Sequence, residues 1–245
     1  LNISRYYKGE AGSKKFVFEN LNFTIKQENQ ITSILTPFSK GKTTLLRILS
    51  GLDDDYTGIF LVKGKKLYNK LPFIPEKPAS FPWLNVSGNI KLILAINRKK
   101  DEISHIQLQD IINLVGLEGY EDHFPHNISY GFRFRISLAR ALAVSPEIIL
   151  LDDPFKQMDS ETKNELLILI KKISVENNIK FLMASSNITD VAILSDIILL
   201  FNGKLDGQNR HIIVPKYENR IETVRNQVQE ILLKEDISNS SGFSV

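Results

Sequence analysis

Residues 16–25, FVFENLNFTI, alternate apolar and polar positions with one break, the period-2 pattern of half-buried antiparallel strands. NQITSIL, residues 29–35, is a buried strand that runs straight into a glycine-lysine turn. KTTLLRILSG then carries apolar residues at helical spacing and stops at Gly51, a C-terminal helix signal. From 77 to about 130 the character changes. Pro78 and Pro82 punctuate a loop, and SHIQLQDIINLVGL places Ile106, Ile111, Leu114 and Val115 at helical spacing, which predicts a mainly helical insertion. Beyond 132 the pattern reads helix (FRFRISLARALAV), buried strand (EIILLDD), helix (ETKNELLILIKKIS) and buried strand (KFLMAS). Continuous apolar strands alternating with helices predict an α/β fold whose parallel sheet is covered on both faces. DIILLFNGKL and RHIIVP predict two further strands around a glycine turn. YENRIETVRNQVQEILLKE predicts an amphipathic helix with Ile221, Val224, Val228, Ile231 and Leu232 on one stripe, before a frayed end at DISNSSGFSV.

Composition narrows the function classes. With 42% hydrophobic and 24% charged residues in 245, the chain is an ordinary globular one, which sets disorder and fibrous classes aside. A net charge of +3, with no run of Lys/Arg interleaved with aromatics, argues against nucleic acid as a partner. The absence of cysteine excludes disulfides and thiolate metal sites. His105, His123, His126 and His211 have no ligand spacing. No apolar run reaches the roughly 18 residues that cross a bilayer, and LNISRYYKGEAGSKK lacks an apolar signal core. The expectation is a cytoplasmic chain that reaches a membrane only by docking on another protein.

The chemistry concentrates in two stretches. In ILTPFSKGKTTLLRIL, residues 34–49, Gly41, Lys42 and Thr43 form the second half of a phosphate-binding loop, in which backbone N–H groups and a lysine grip phosphates and a hydroxyl holds Mg²⁺. A bare GKTT is also an ordinary helix start. In IILLDDPF, residues 148–155, an apolar strand ends in two carboxylates. Asp152 suits the Mg²⁺ shell and Asp153 suits a base acting on the attacking water. Two acids that merely cap the next helix would look similar, and the pairing with GKTT upstream favours the chemical reading.

Between them runs NISYGFRFRISLARALAVSPEIILLDDP, and here the chain resembles the ATP-binding subunits of ABC transporters, whose signature motif, helix and Walker B strand follow in this order. The resemblance covers residues 3 to about 205. It implies a P-loop NTPase of the ABC ATPase kind: one domain over 1–245, with a nucleotide-binding core and N-terminal antiparallel β subdomain in 1–76 and 132–210, a helical subdomain in 77–131 and a tail in 211–245. It implies ATP and Mg²⁺ as cofactors. Tyr6 or Tyr7 stands where an aromatic stacks on adenine. Ser39, Lys40, Gly41, Lys42, Thr43 and Thr44 line the phosphates; Thr43, Asp152 and Glu76 face the metal; Ser129, Gly131 and Asp159 serve a paired subunit's site. The implied partners are a membrane permease, a second ABC ATPase subunit, either identical or more intact, and indirectly a solute-binding protein. SFPWLNV and VPKYENR most resemble importers of nitrate, sulfonates, taurine and thiamine precursors.

Departures from the family pattern matter as much. Thr36 and Ser39 replace the first two loop glycines, and a serine forced to positive φ costs roughly 1 kcal/mol. The signature Leu-Ser-Gly-Gly-Gln becomes Ile128, Ser129, Tyr130, Gly131 and Phe132, with a ring where backbone should approach nucleotide. Glu76 replaces the Q-loop glutamine, Ser186 the switch histidine and Asp153 the catalytic glutamate. A carboxylate set back by about one C–C bond, roughly 1.5 Å, lowers the expected hydrolysis rate at least about a hundredfold. Two readings follow: an importer's energising subunit that hydrolyses slowly, and a hydrolysis-deficient ATP-binding structural or regulatory partner. A GTPase would need Asn-Lys-x-Asp, and NITD at 187–190 has Ile188 in the lysine position.

Overall fold

The computed structural model describes residues 3–8, 14–21, 23–24, 28, 30–36, 41–59, 61–62, 65–66, 71–96, 105–126, 129–201, 210–214 and 219–240. They fall into two compact units, residues 1–69 with 184–245, and residues 70–183.

In the first unit, β1 (Ile3–Lys8) pairs antiparallel with β2 (Lys14–Leu21), with Tyr6 opposite Phe16. Arg5 ties this hairpin to the 53–55 turn through Asp53 and Asp55. The sequence extends the second strand to residue 25, but β2 stops at Leu21. β3 (Ile31–Leu35) is buried along its whole length, including its small polar residues Thr32 and Ser33, and leads to α1 (Lys42–Leu49). Gly51 at φ 69° ends α1, with Gly51 N–H on Ile48 O and Leu52 N–H on Arg47 O. This paired closure satisfies the helix's last carbonyls and needs a left-handed residue, hence the glycine. β4 (Leu61–Val62) and β5 (Lys65–Lys66) form a small antiparallel pair.

The second unit begins at β6 (Phe73–Ile74), followed by α2 (Val86–Ile96), α3 (His105–Leu114), α4 (Tyr130–Leu142), β7 (Ile148–Asp152), α5 (Ser160–Glu176) and β8 (Lys180–Ser185). β6 and β7 are parallel, with Phe73 opposite Leu150, and β8 lies on the other side of β7. α5 buries Leu166, Leu167, Ile170, Ile173 and Ser174, a stripe of helical period that ends in the core. On α3 the buried residues are Leu108, Ile111, Ile112 and Val115, whereas Leu114 is only half-buried. Ile111 and Val115 are buried as the spacing suggests, Leu108 and Ile112 join them, and the side chain of Ile106 lies outside the described residues.

The chain re-enters the first unit after Met183 and forms α6 (Ile188–Leu194), β9 (Ile197–Leu200), β10 (Arg210–Ile213) and α7 (Arg220–Ser240). β9 lies parallel to β3 and antiparallel to β10. Asp196 fixes the register, its Oδ2 accepting from Gln30 and Ile31 N–H, both at 2.9 Å. Val224 and Val228 of α7 are buried, and Ile221, Ile231 and Leu232 are half-buried on the same side. α7 continues to Ser240, so the stretch from 236, expected to fray, is helical for five more residues.

Candidate functional site

α1 starts where the backbone turns at Gly41, whose φ of 94° lies in the left-handed region that a Cβ disfavours. Gly41 is the N-cap and has no side chain with which to cap the helix. The first-turn N–H groups point along the axis at the helix end, where the macrodipole adds partial positive charge. Lys42, the first helical residue, is only 4% exposed. It stands at the positive end of the helix, where anionic charge is favoured. With Thr43 exposed and Thr44 half-buried on the same turn, this donor set fits a polyphosphate and a divalent cation. Thr36 is buried, donates its N–H to Ser185 O at 3.3 Å, and is not among the residues at positive φ, so the strain expected of a replaced glycine does not arise there. Ser39 and Lys40 lie outside the described residues. Tyr6 is half-buried on β1, and its carbonyl accepts from Arg5 at 3.3 Å. Ser186 is exposed between β8 and Asn187, which caps α6 by accepting from Thr189 and Asp190 N–H.

In the second unit β7 delivers Asp152, 3% exposed, and Asp153, 8% exposed. Asp153 has φ 38° and precedes Pro154. Aspartate is among the few residues that tolerate the left-handed region, and a following proline pushes its predecessor toward extended conformations. The backbone is thus strained, by an amount on the order of 1 kcal/mol or more, at the residue the sequence marks as the base.

Glu76 does not stand alone. Its Oε1 lies 3.1 Å from Lys156 Nζ and accepts from Gln157 Nε2 at 3.4 Å. The Glu76 carboxylate raises the Lys156 ammonium above the usual lysine range, first by its hydrogen bond and then by its charge, with Asp153 and Asp152 adding to the effect. Neither Lys156 nor Gln157 stood out in the sequence. The available signal was a pair of unexpected charges of opposite sign, an acid at 76 and a lysine just after the β7 carboxylates.

Ser129, Gly131 and Asp159 come together as helix-start chemistry. Ser129 caps α4 by accepting from Phe132 N–H at 3.3 Å. Asp159 caps α5, accepting from Thr162 N–H at 2.9 Å and Thr162 Oγ1 at 2.8 Å, and these bonds hold its carboxyl below the ordinary value. Gly131 is packed so closely that a Cβ built on it would lie 2.3 Å from Thr162 Cγ2. The Arg133 guanidinium lies over the Tyr130 ring, 4.4 Å from its centroid, so the ring stacks within its own helix turn. Among the described residues no helix is long and apolar enough to cross a membrane.

A buried strand, a glycine turn and a helix opening on Lys-Thr, together with an apolar strand ending in carboxylates, define the P-loop nucleotide-binding class. Comparison with known proteins refines this. The ABC transporter family matches residues 18–156. Aliphatic sulfonates import ATP-binding protein SsuB of Bacillus thuringiensis subsp. konkukian is 30% identical over 231 residues, 93% of this chain and 88% of the relative. Spermidine/putrescine import ATP-binding protein PotA of Spiroplasma citri is 33% identical over 221 residues, 87% of this chain and 60% of that protein. Among solved structures, a post-hydrolysis dimer of the cassette MJ0796 bound to ADP and Pi has a TM-score of 0.74 at 25% identity, covering 88% of this chain and 98% of that one. The chain belongs to the ABC transporter family and carries its ATP-binding cassette.

Proposed function

We propose that the chain is the energising subunit of an ABC importer, coupling ATP binding and slow hydrolysis to passage of a small solute through a membrane permease. The observation that carries this reading is the first turn of α1, where a glycine-capped helix start draws Lys42 inward. The two import ATP-binding relatives support it. Gly41, Lys42, Thr43 and Thr44, with Ser39 and Lys40 before them, bind the phosphates, and Tyr6 packs on the base. Thr43, Asp152 and Glu76 hold Mg²⁺, which when bound neutralises charge on the outer phosphates. Asp153 accepts a proton from water as the water oxygen bonds to the γ-phosphorus and the bond to the β-phosphate oxygen breaks. Ser186 occupies the switch position without an imidazole to share that proton. Ser129, Gly131 and Asp159 face the site of a second subunit, identical or more intact, and the pair works at the inner face of the membrane through the permease.

A hydrolysis-deficient partner is the second reading, favoured by the short, strained Asp153 and by the engagement of Glu76 with Lys156. Single-turnover cleavage of bound ATP in wild type and Asp153→Glu separates the two. The slow-motor reading expects the longer carboxylate to accelerate cleavage by about tenfold or more. No cleavage in either protein establishes the second reading instead.

A further inference from the structure

β7 and the turn that follows it anchor the chain on both sides of Asp153. Before it, Leu150 N–H donates to Pro72 O at 2.9 Å and Leu151 lies opposite Ile74 of β6, so the register of the strand is set as far as the residue before Asp152. After it, Lys156 N–H donates to Asp153 O at 3.3 Å and Met158 N–H to Phe155 O at 3.2 Å, which closes a turn over 153–158. Phe155 is 4% exposed, and its ring lies 6.3 Å from that of the fully buried Phe134 on α4, tilted by 45°. Centroids at that separation are in the contact range of aromatic pairs. Between these anchors Asp153 stands at φ 38° ahead of Pro154, which by itself pushes its predecessor toward extended backbone. A residue in that state persists only where its surroundings over-determine it, and on the far side of the proline the anchor is Phe155.

We propose that Phe155 is a positioning residue for Asp153: seated on Phe134, its ring holds the turn closed and keeps Asp153 left-handed, which fixes the direction in which the carboxylate leaves the backbone. This rests on the reading of Asp153 as the base. Without the ring, Pro154 returns Asp153 to extended backbone and the carboxylate swings away from its place at the end of β7. Two consequences follow and can be read separately. The first is conformational and needs no nucleotide. Glycine is favoured over alanine at 153 while the position is left-handed, because a Cβ disfavours that region; once the position is extended, alanine is favoured, because glycine has more freedom to lose on folding. The second is chemical. Misplacing a base by about 1 Å costs on the order of a hundredfold in rate, and a change confined to this turn leaves ATP affinity nearly as it was.

The experiment compares Asp153→Gly with Asp153→Ala by calorimetry on the purified full chain, each with Phe155 present and each combined with Phe155→Leu. With Phe155 present, the glycine chain melts higher by about 1–4 °C. With Phe155→Leu the order reverses, and the alanine chain melts higher by a similar amount. Leucine keeps the position apolar, and Phe134→Leu, which trims the same contact from the side of α4, reverses the order as well. With Asp153 intact, single-turnover cleavage of bound ATP falls at least about tenfold in Phe155→Leu, while the ATP dissociation constant moves by less than about twofold. An alanine chain that melts as high as the glycine chain when Phe155 is present, a glycine advantage that survives Phe155→Leu, or an unchanged cleavage rate overturns the assignment. Wild type that binds ATP without cleaving it overturns the hydrolysis reading instead, and the melting order then still decides whether Phe155 holds the turn.

Discussion

Gly131→Ala tests what the signature glycine is for in this chain. The added Cβ would lie 2.3 Å from Thr162 Cγ2, 3.8 Å from its Cβ and 4.0 Å from Leu166 Cδ1. Thr162 is not free to turn away, because its N–H and hydroxyl both donate to Asp159, at 2.9 and 2.8 Å. Rotating it forfeits the hydroxyl bond, about 1 kcal/mol, and parting α4 from α5 instead incurs overpacking of about 1–3 kcal/mol. Alanine's better helix propensity returns at most about 1 kcal/mol. The net expectation is a loss of about 1–2 kcal/mol, which for a chain of this size lowers Tm by about 2–8 °C. Thr162→Ser removes Cγ2 and keeps both bonds to Asp159, so Gly131→Ala/Thr162→Ser should recover to within about 0.5 kcal/mol of Thr162→Ser alone. Calorimetry on the four proteins is the assay. A Gly131→Ala chain as stable as wild type, or a double variant as unstable as the single one, refutes the packing argument and leaves contact with a partner's nucleotide as the reason for the glycine.

Three further outcomes are expected. Asn89, fully buried, accepts from Phe81 N–H at 2.8 Å and donates to Phe81 O and Leu84 O at 3.1 and 2.9 Å, so Asn89→Leu should cost about 2–4 kcal/mol by urea denaturation and open the 81–85 loop to protease. Arg220 donates to Ala192 O and Ser195 O at 3.1 and 2.7 Å at the C-terminal end of α6, and Arg220→Met should cost about 1–3 kcal/mol and speed hydrogen exchange in α7 before the rest of the chain. Asp159 has a folded pKa below its ordinary 3.8, so its stabilising cap is fully present above that value and is lost as pH falls through the lower folded value. The Tm difference between wild type and Asp159→Asn should accordingly shrink on acidification below about pH 4, and a pH-independent difference would contradict the assignment.

Where one face or both faces of an element must be buried, the sequence announces it. IILLD reads as a buried strand because nothing polar interrupts it until the carboxylate, ITSIL because its two polar residues, Thr32 and Ser33, are small and uncharged, and Leu166, Leu167, Ile170 and Ile173 read as a helix because they repeat at 3.6. GKTT and DDP marked the positions of Lys42 and Asp152 for the same reason, since each lies at the end of such a strand or at the start of the helix after it. Less legible was anything decided by a residue from elsewhere in the chain. Which face of α3 turned inward depended on its packing partners, and IINLV supports two choices. Nothing in the sequence around Gly131 announces that Thr162, 31 positions later, packs against it. Nor does anything around Glu76 announce that Lys156, 80 positions later, pairs with it. The stacking of Arg133 on the Tyr130 ring was likewise not legible from the signature motif.

The central claim is that this chain grips ATP through α1 and cleaves it slowly through Asp153. The most direct test incubates purified protein with Mg-ATP, re-isolates it at intervals and identifies the bound nucleotide, with Lys42→Ala alongside. The account predicts bound nucleotide that converts steadily from ATP to ADP, with both occupancy and conversion lost in Lys42→Ala. Occupancy equal in the two proteins, or none in either, would contradict it.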